Sequence, residues 1–419
     1  MELEEENLRL QMELKAAEVR RELAEKLPPL GKPQADRTRN MMMLRCMSIG
    51  LALGLNKVGG IAKKEALMRP FWTKVKAAAG TALAAALVVT LLVLPVAAAE
   101  NAHDGSLGDT NLRFIGRWDK HDPKVFQGNW TGHYVRTVFT GTTVKVHVAA
   151  DVNMLVSIDG RPFKRFDGKA GVVNLTPTPL AQGKHTFLLT PRREEDEIQF
   201  QGLQLDPGAT TLPVPELPII EFTGDSITTN AGDQNDYKDF VAVHPYSWKV
   251  SELLGVDHAQ ISQSGIPLLA GNGRAVGKGM EVQYFKTRNP RHKESELWMP
   301  SYVPFIVVFN LGTSDGVKDA DFAAAYRKFL RKVRTANPNA DFVVMRTFCG
   351  KYAACTRQAV ETLVKEGDQH LHYVDTTGWL TRSDFVKDGV HPSISGSLKA
   401  AQRLLETLKP LLDRKIQKK

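Results

Sequence analysis

From residue 219 onward, strand-length apolar runs alternate with longer stretches of helical spacing, and this alternation restricts the fold more than any other feature of the chain. "IIEFTG", "DHAQISQSG", "VPFIVVFNLG", "DFVVMRTF" and "HLHYVDTT" read as strands. "SWKVSELLG", "ADFAAAYRKFLRKVRTA", "RQAVETLVKEG" and "SGSLKAAQRLLETLKPLL" read as helices. Strands that are apolar throughout, rather than at every second position, must be covered on both faces. The expected architecture is therefore α/β, a parallel sheet between two layers of helices. Ligands of such sheets sit beyond the carboxyl ends of the strands. Three polar clusters fall there: Gly224 to Ser226, Gln263 to Gly265 and Gly312 to Asp315.

Residues 107–206 have another texture. "YVRTVFTG", "TTVKVHVAA", "NMLVSIDG", "GVVNLTP", "KHTFLLTPR" and "IQFQGLQLD" are short alternating runs broken by Gly, Asp and Pro. Period-two patterning with frequent turn residues predicts an antiparallel sandwich. "ATTLPVPELP" follows, and residues 207–218 read as a stiff proline-rich linker. The α/β domain then takes up residues 219–419.

The N-terminal quarter points to export. Residues 77–99, "AAAGTALAAALVVTLLVLPVAAA", follow Arg69, Lys74 and Lys76 and end on three alanines before Glu100. A basic start, an apolar middle and small residues at the end make a secretory signal, here spanning residues 68–99. The expectation is a mature protein beginning near Glu100, secreted or periplasmic. A run of about 20 apolar residues also spans a bilayer, so an anchor facing outward is the rival topology. Met68 would start an ordinary signal, leaving residues 1–67 outside the mature protein. "MELEEENLRLQMELKAAEVRRELAEKL" is nonetheless helical in pattern, and a cytoplasmic helical extension goes with the anchor reading.

Charge and cysteine content exclude other classes. The net charge is +9, and residues 1–99 carry 15 Lys and Arg against 10 Asp and Glu, out of 55 and 46 in the chain. No basic run lies beyond residue 99, so a nucleic-acid partner is not expected. Cys349 and Cys355 could form a small-loop disulfide in an exported protein or stand as two thiols. No CxxC or HExxH spacing is present, and neither a metal nor any other cofactor is expected. "GNGRAVGKG" falls short of a P-loop, with Asn272 and Gly279 at two defining positions. His370 and His372 share one side of a strand and read as structural. Asn129 and Asn174 match the glycosylation pattern, which has meaning only in a glycosylating host.

The chemistry is carried by "GDSIT" and "DGVHPS". A glycine turn and a capping Asp or Ser would account for the first by turn chemistry alone. The sharper reading makes Ser226 a nucleophile at a strand end. Such a serine needs a base, and the base needs an orienting acceptor. Asp388, three residues before His391, can place a carboxylate beside the imidazole in one turn of chain.

Gly224, Asp225, Ser226, Ile227 and Thr228, together with Gly265, "NLGTSD" and "DGVHP", resemble the ordered blocks of SGNH (GDSL-type) hydrolases. The strands before them, with "GRW", "VFTGTTVKV", "VSIDG" and "GKHTFLLTPRREED", resemble the jelly roll that precedes this domain in carbohydrate esterase family 2. The resemblance covers about residues 107–413. It implies a flavodoxin-like sheet and removal of O-acetyl groups from plant-type polysaccharides such as xylan or mannan, without cofactor or metal. It makes Ser226 the nucleophile, His391 the base, Asp388 its orienting partner, and the N–H groups of Ser226 and Gly265 oxyanion donors. The family adds an Asn side chain from a G-x-N-D block, and Ser314 stands at that position here.

That departure leaves two rivals open. One is a carbohydrate-binding protein of weak catalytic power that keeps the fold. The other is an α/β-hydrolase elbow, since Gly312, Ser314 and Gly316 fit G-x-S-x-G, with Asp375 and His391 following in order.

Overall fold

The chain is seen in a computed structural model that describes residues 103–233, 240–271 and 278–417. The N-terminal helical pattern, the apolar segment at 77–99 and most of "GNGRAVGKG" lie outside the described residues.

Eleven strands make up the first half. They are β1 (Arg113–Ile115), β2 (Trp118–Asp119), β3 (Phe126–Gly128), β4 (Tyr134–Gly141), β5 (Val144–Val148), β6 (Val152–Ile158), β7 (Lys164–Gly168), β8 (Gly171–Asn174), β9 (Gly183–Pro191), β10 (Ile198–Leu205) and β11 (Thr211–Leu212). One antiparallel sheet runs β1-β4-β9-β6-β7, with β11 beside β4, and the other runs β2-β3-β10-β5-β8. The alternation read from the sequence decides which side chains meet between them. On β5, Val144, Val146 and Val148 are buried while Lys145 and His147 are not. They join Phe139 and Leu189 of the first sheet and Ile198 and Phe200 of the second in one core. Truncating a fully buried Phe such as Phe139 typically costs about 3–5 kcal/mol.

The proline-rich linker is not wholly a spacer. Thr211 and Leu212 pair with Phe139 and Val138, and the Thr211 hydroxyl donates to Asp109 at 2.6 Å. Pro213 and Pro215 cannot donate ladder bonds, which limits this added strand to two residues.

The second half follows the βα alternation. Strands β12 (Ile219–Gly224), β13 (Asp257–Ser262), β14 (Ile306–Asn310), β15 (Asp341–Met345) and β16 (Leu371–Val374) form a parallel sheet in the order β13-β12-β14-β15-β16. Counted within the sheet this is 2-1-3-4-5, the flavodoxin-like order, with its switch point between β12 and β14. The helices are α1 (Ser226–Thr229), α2 (Tyr246–Leu254), α3 (Met280–Gln283), α4 (Asp319–Ala336), α5 (Ala353–Lys365) and α6 (Ile394–Gln417). On one face Phe222, Val308 and Val343 pack with Val250 of α2 and Leu404 of α6. On the other, Ile261, Phe309 and Val344 pack with Phe322 and Tyr326 of α4 and Ala359 of α5. Helix α4 buries Phe322, Tyr326, Phe329, Leu330 and Val333, the stripe its spacing predicts. Asp319 and Asp321 in its first turn and Arg334 in its last suit the helix dipole.

The two halves meet through buried polar contacts. Arg136 of β4 makes two bonds to Asp257 of β13, at 2.8 and 2.7 Å, and the Tyr134 hydroxyl donates to the same carboxylate at 2.9 Å. Arg117, after β1, is fully buried and donates to the carbonyls of Tyr284 and Lys286. Its guanidinium lies 4.2 Å from the Trp298 ring centre and 3.8 Å from the Glu221 carboxylate of β12. Tyr302 donates to that carboxylate at 2.6 Å.

Candidate active site

Strand β12 ends where the sheet order reverses, and its last residue must be small. A Cβ on Gly224 would stand 2.0 Å from the Thr228 hydroxyl oxygen and 3.0 Å from the Asn310 carbonyl oxygen. Glycine lets the chain turn directly into α1, with Asp225 as N-cap accepting from the Ile227 N–H at 3.2 Å. Ser226 is the first helical residue and is partly exposed, while Ile227, Thr228 and Thr229 are buried. A hydrogen-bonded chain beneath holds the helix. Thr228 meets the Tyr246 hydroxyl at 2.9 Å, Ser247 donates to the Thr228 carbonyl at 2.9 Å, and Gln260 donates to Ser247 at 2.6 Å.

His391 arrives from the loop after β16. Its Nε2 lies 2.7 Å from the Ser226 hydroxyl oxygen, and its Nδ1 lies 2.6 Å from Asp388. The other Asp388 oxygen accepts from the N–H groups of Val390 and His391, at 2.8 and 3.0 Å. Burial opposes the charge on Asp388, but these N–H groups and the imidazole outweigh it and hold its pKa below the ordinary value. An ionised Asp388 accepts from Nδ1–H, which leaves Nε2 as the acceptor facing Ser226. The loop closes through the Val386 N–H to the His391 carbonyl at 3.0 Å, turning at Gly389 with φ 70°.

Asp225, beside Ser226, differs from Asp388. It is completely buried, and burial pushes its pKa up to about 6 against the pull of the Ile227 N–H and His391.

Two further loops leave the strands that flank β12. After β13, residues 263–266 form a turn closed by Ile266 N–H to the Gln263 carbonyl at 3.2 Å, with Gly265 at φ 72°. After β14, Ser314 lies partly exposed in a turn closed by Asp315 N–H to the Gly312 carbonyl at 3.3 Å. The buried Asp315 carboxylate joins the two loops, accepting from the N–H groups of Leu268, at 2.8 Å, and Leu269, at 3.2 Å. Burial raises its pKa, against these N–H groups and Lys351. Lys351 donates to the carbonyls of Thr313, at 3.2 Å, and Asp315.

Ser226, His391 and Asp388 thus come together as a hydrogen-bonded relay, with Gly265 and Ser314 on the loops to either side. The elbow alternative is not assembled. Asp375 binds Arg357 at 2.6 Å and the Thr377 hydroxyl, while His391 takes Asp388 as its carboxylate. Cys349 and Cys355 are free thiols, the first exposed and the second buried, so the disulfide alternative is not realised. His370 and His372 both bond to Asp341, at 3.1 and 3.2 Å. The Asn129 side chain is buried and donates to the Gln127 carbonyl, which leaves no room there for a glycan. Among the described residues, no group of three His, Cys, Asp or Glu side chains could hold a metal ion. No described helix is long and apolar enough to cross a membrane.

Sequence reading missed Glu194, which reaches the Gly265 turn from the first half. It accepts from Ser264 N–H at 2.7 Å, from Gln263 Nε2 at 2.9 Å and from Arg291 at 3.2 Å. It sits in the charge run "RREEDE", and nothing in that run marks one residue as buried.

A serine, an imidazole and a carboxylate hydrogen-bonded in series at the switch point of a flavodoxin-like sheet is the arrangement by which serine hydrolases activate their nucleophile. Residues 114–215 match the family described as Carbohydrate esterase 2 N-terminal. Over 342 residues the chain is 28% identical to the cellulase/esterase CelE of Acetivibrio thermocellus, covering 74% of this chain and 41% of that protein. Over 256 residues it is 25% identical to the acetylxylan esterase / glucomannan deacetylase of Cellvibrio japonicus, covering 54% of this chain and 70% of that one. The chain therefore spans less than half of the first of these relatives. A solved family two carbohydrate esterase from Clostridium thermocellum, in complex with cellohexaose, aligns at TM-score 0.62 and 26% identity, over 72% of this chain and 99% of that one. A family two carbohydrate esterase from Cellvibrio japonicus shares the fold at TM-score 0.62 and 19% identity, over 74% and 98%. The chain resembles the carbohydrate esterases of family 2, within the SGNH-type hydrolases.

Proposed function

We propose that this chain is a secreted serine esterase that removes O-acetyl groups from a xylan- or mannan-type polysaccharide. The observation that carries the reading is the relay itself, with 2.7 Å from Ser226 to His391 and 2.6 Å from His391 to Asp388. Ser226 Oγ attacks the acetyl carbonyl while Nε2 of His391 takes its proton. Asp388 holds the ring and stabilises the imidazolium. The oxyanion is met by the N–H groups of Ser226 and Gly265 and by the Ser314 hydroxyl. Collapse returns the proton from His391 to the leaving sugar oxygen and leaves an acetyl ester on Ser226. Water, deprotonated by His391, then attacks that ester, and collapse releases acetate as His391 returns the proton to the Ser226 oxygen.

The substrate class is supported by the names of the two relatives and by the cellohexaose bound in the Clostridium thermocellum structure. We assign residues 107–206 to the family's jelly roll, 207–218 to a linker and 219–419 to the hydrolase domain. We assign residues 68–99 to a signal that is removed near Glu100, with residues 1–67 outside the mature protein.

Acetate release from acetylated xylan and acetylated glucomannan, with Ser226→Ala as control, tests the reading. Turnover lost in the variant supports it, and turnover retained removes it. The second reading, glycan binding without catalysis, is favoured by one observation, the serine at position 314. Binding of acetylated glycans with no acetate released by the unaltered chain would establish it.

A further inference from the structure

We propose that Glu194, a residue of the β-sandwich, is a positioning residue for the oxyanion hole of the neighbouring domain. The inference rests on the esterase reading above, and it gives the sandwich a part in the chemical step rather than in glycan binding alone. The Gly265 N–H belongs to the peptide between Ser264 and Gly265, the central peptide of the turn at residues 263–266. With Gly265 at φ 72°, close to the roughly +80° of a type II turn, the arrangement depends on how that one peptide faces. The type I alternative differs from type II in the orientation of the central peptide, so it would carry the Gly265 N–H away from the nucleophile.

Glu194 fixes the half of the turn that decides this. Its Oε2 accepts from the Ser264 N–H at 2.7 Å and from Gln263 Nε2 at 2.9 Å, and its Oε1 from Arg291 at 3.2 Å. The far side of the same loop is held by Asp315 through Leu268 and Leu269. The turn is thus gripped at both ends by buried carboxylates, one from each half of the molecule. Glu194 stands 70 residues from Ser264 in the chain and touches neither Ser226 nor His391 in any bond described here. Its action is through the turn.

The test uses the full chain with 4-nitrophenyl acetate as substrate and phenylboronic acid as a tetrahedral mimic. Glu194→Ala removes both acceptors and should lower kcat about tenfold to a hundredfold, below the loss of a whole oxyanion donor. KM should change less than about twofold, and phenylboronic acid should bind about tenfold more weakly. Glu194→Gln keeps the shape and one acceptor without the charge, and charge-assisted bonds are roughly twice as strong as neutral ones. Its kcat should fall about threefold to tenfold, between the unaltered chain and the alanine variant. If the alanine variant does not fold, the glutamine variant decides alone. A folded Glu194→Gln or Glu194→Ala enzyme with unaltered kcat and boronate affinity, but a lower Tm, makes Glu194 a structural contact and overturns the proposal. An unaltered chain that releases no product removes the esterase reading and this inference with it.

Discussion

The loop that carries His391 and the turn that carries Gly265 both follow strands of the parallel sheet, but they are supported in opposite ways. The His391 loop holds itself. Asp388 accepts from Val390 and His391 next to it, and Val386 bonds to the His391 carbonyl. Those partners lie within five residues of one another. The Gly265 turn is held from a distance, by Glu194 some 70 residues earlier and by Asp315 nearly 50 later. The difference teaches that the pairing of His391 with Asp388 is set within one short loop, whereas the Gly265 turn gains its Glu194 contacts only once both halves of the molecule have docked.

The comparison breaks most completely at the proposed nucleophile. Ser226→Ala should lower acetate release by about a thousandfold or more with an unchanged circular dichroism spectrum, since removing a nucleophile removes the whole relay. Residual turnover near that of the unaltered chain would place the nucleophile elsewhere.

Next in size is the local loop. Asp388→Asn keeps the shape but can present an N–H to Nδ1, leaving the wrong tautomer facing Ser226. The expected loss in kcat is on the order of a hundredfold to ten-thousandfold, read from steady-state kinetics. A loss below about threefold would mean that the loop orients His391 without its carboxylate.

The distant support is sharpened at Ser314. If its hydroxyl stands in for an amide donor, Ser314→Asn should raise kcat while KM stays put, because the bond strengthens as charge develops on the substrate oxygen. One donor is typically worth about a hundredfold or more, and a pocket adjusted to serine should return less, about tenfold. A well-folded variant with equal or lower kcat would show that the Ser226 and Gly265 N–H groups suffice.

The smallest expected effect is on stability, at the residue between relay and turn. Asp225 has its pKa raised to about 6 by burial, so the folded chain binds more protons there than the unfolded chain between about pH 4 and 6. Stability from this group is greatest below the unfolded value and is lost as pH rises through about 6. Asp225→Asn keeps an oxygen to cap α1, so it should raise Tm at pH 7 by more than at pH 4. The gain at pH 7 should reach up to about 3 kcal/mol, measured by denaturant unfolding. Equal gains at the two pH values would dissociate the effect from titration.

What could be read from the residues in order follows the same division. Ser226 and the pair of Asp388 and His391 lie in short blocks whose turn chemistry is local, so their spacing carries the geometry. The βα alternation likewise fixes which faces are buried, as on α4, because periodicity is a property of one element. Glu194 was not legible because burial of one acid in "RREEDE" depends on partners in the other half of the molecule. Nor was β11, since two residues between prolines carry no period, and only the free edge of β4 makes them a strand. Helix α6 continues to Gln417 with Pro410 inside it, further than the pattern alone suggested, because its apolar stripe extends to Ile416.

Arg117 gives the junction between the two halves an unexpected meaning. Its guanidinium belongs to the sandwich, yet it is sealed among Trp298, Tyr284 and Glu221 of the other half. A gene cut at residue 218 would leave Glu221 in a closed interior without its cation, a defect of the kind that costs about 3–5 kcal/mol. Exchanging sandwiches between related chains would meet the same obstacle unless the arginine travelled with them. For anyone assembling chimeras, the two halves are a single inherited cassette, and the prolines between them are no place for scissors.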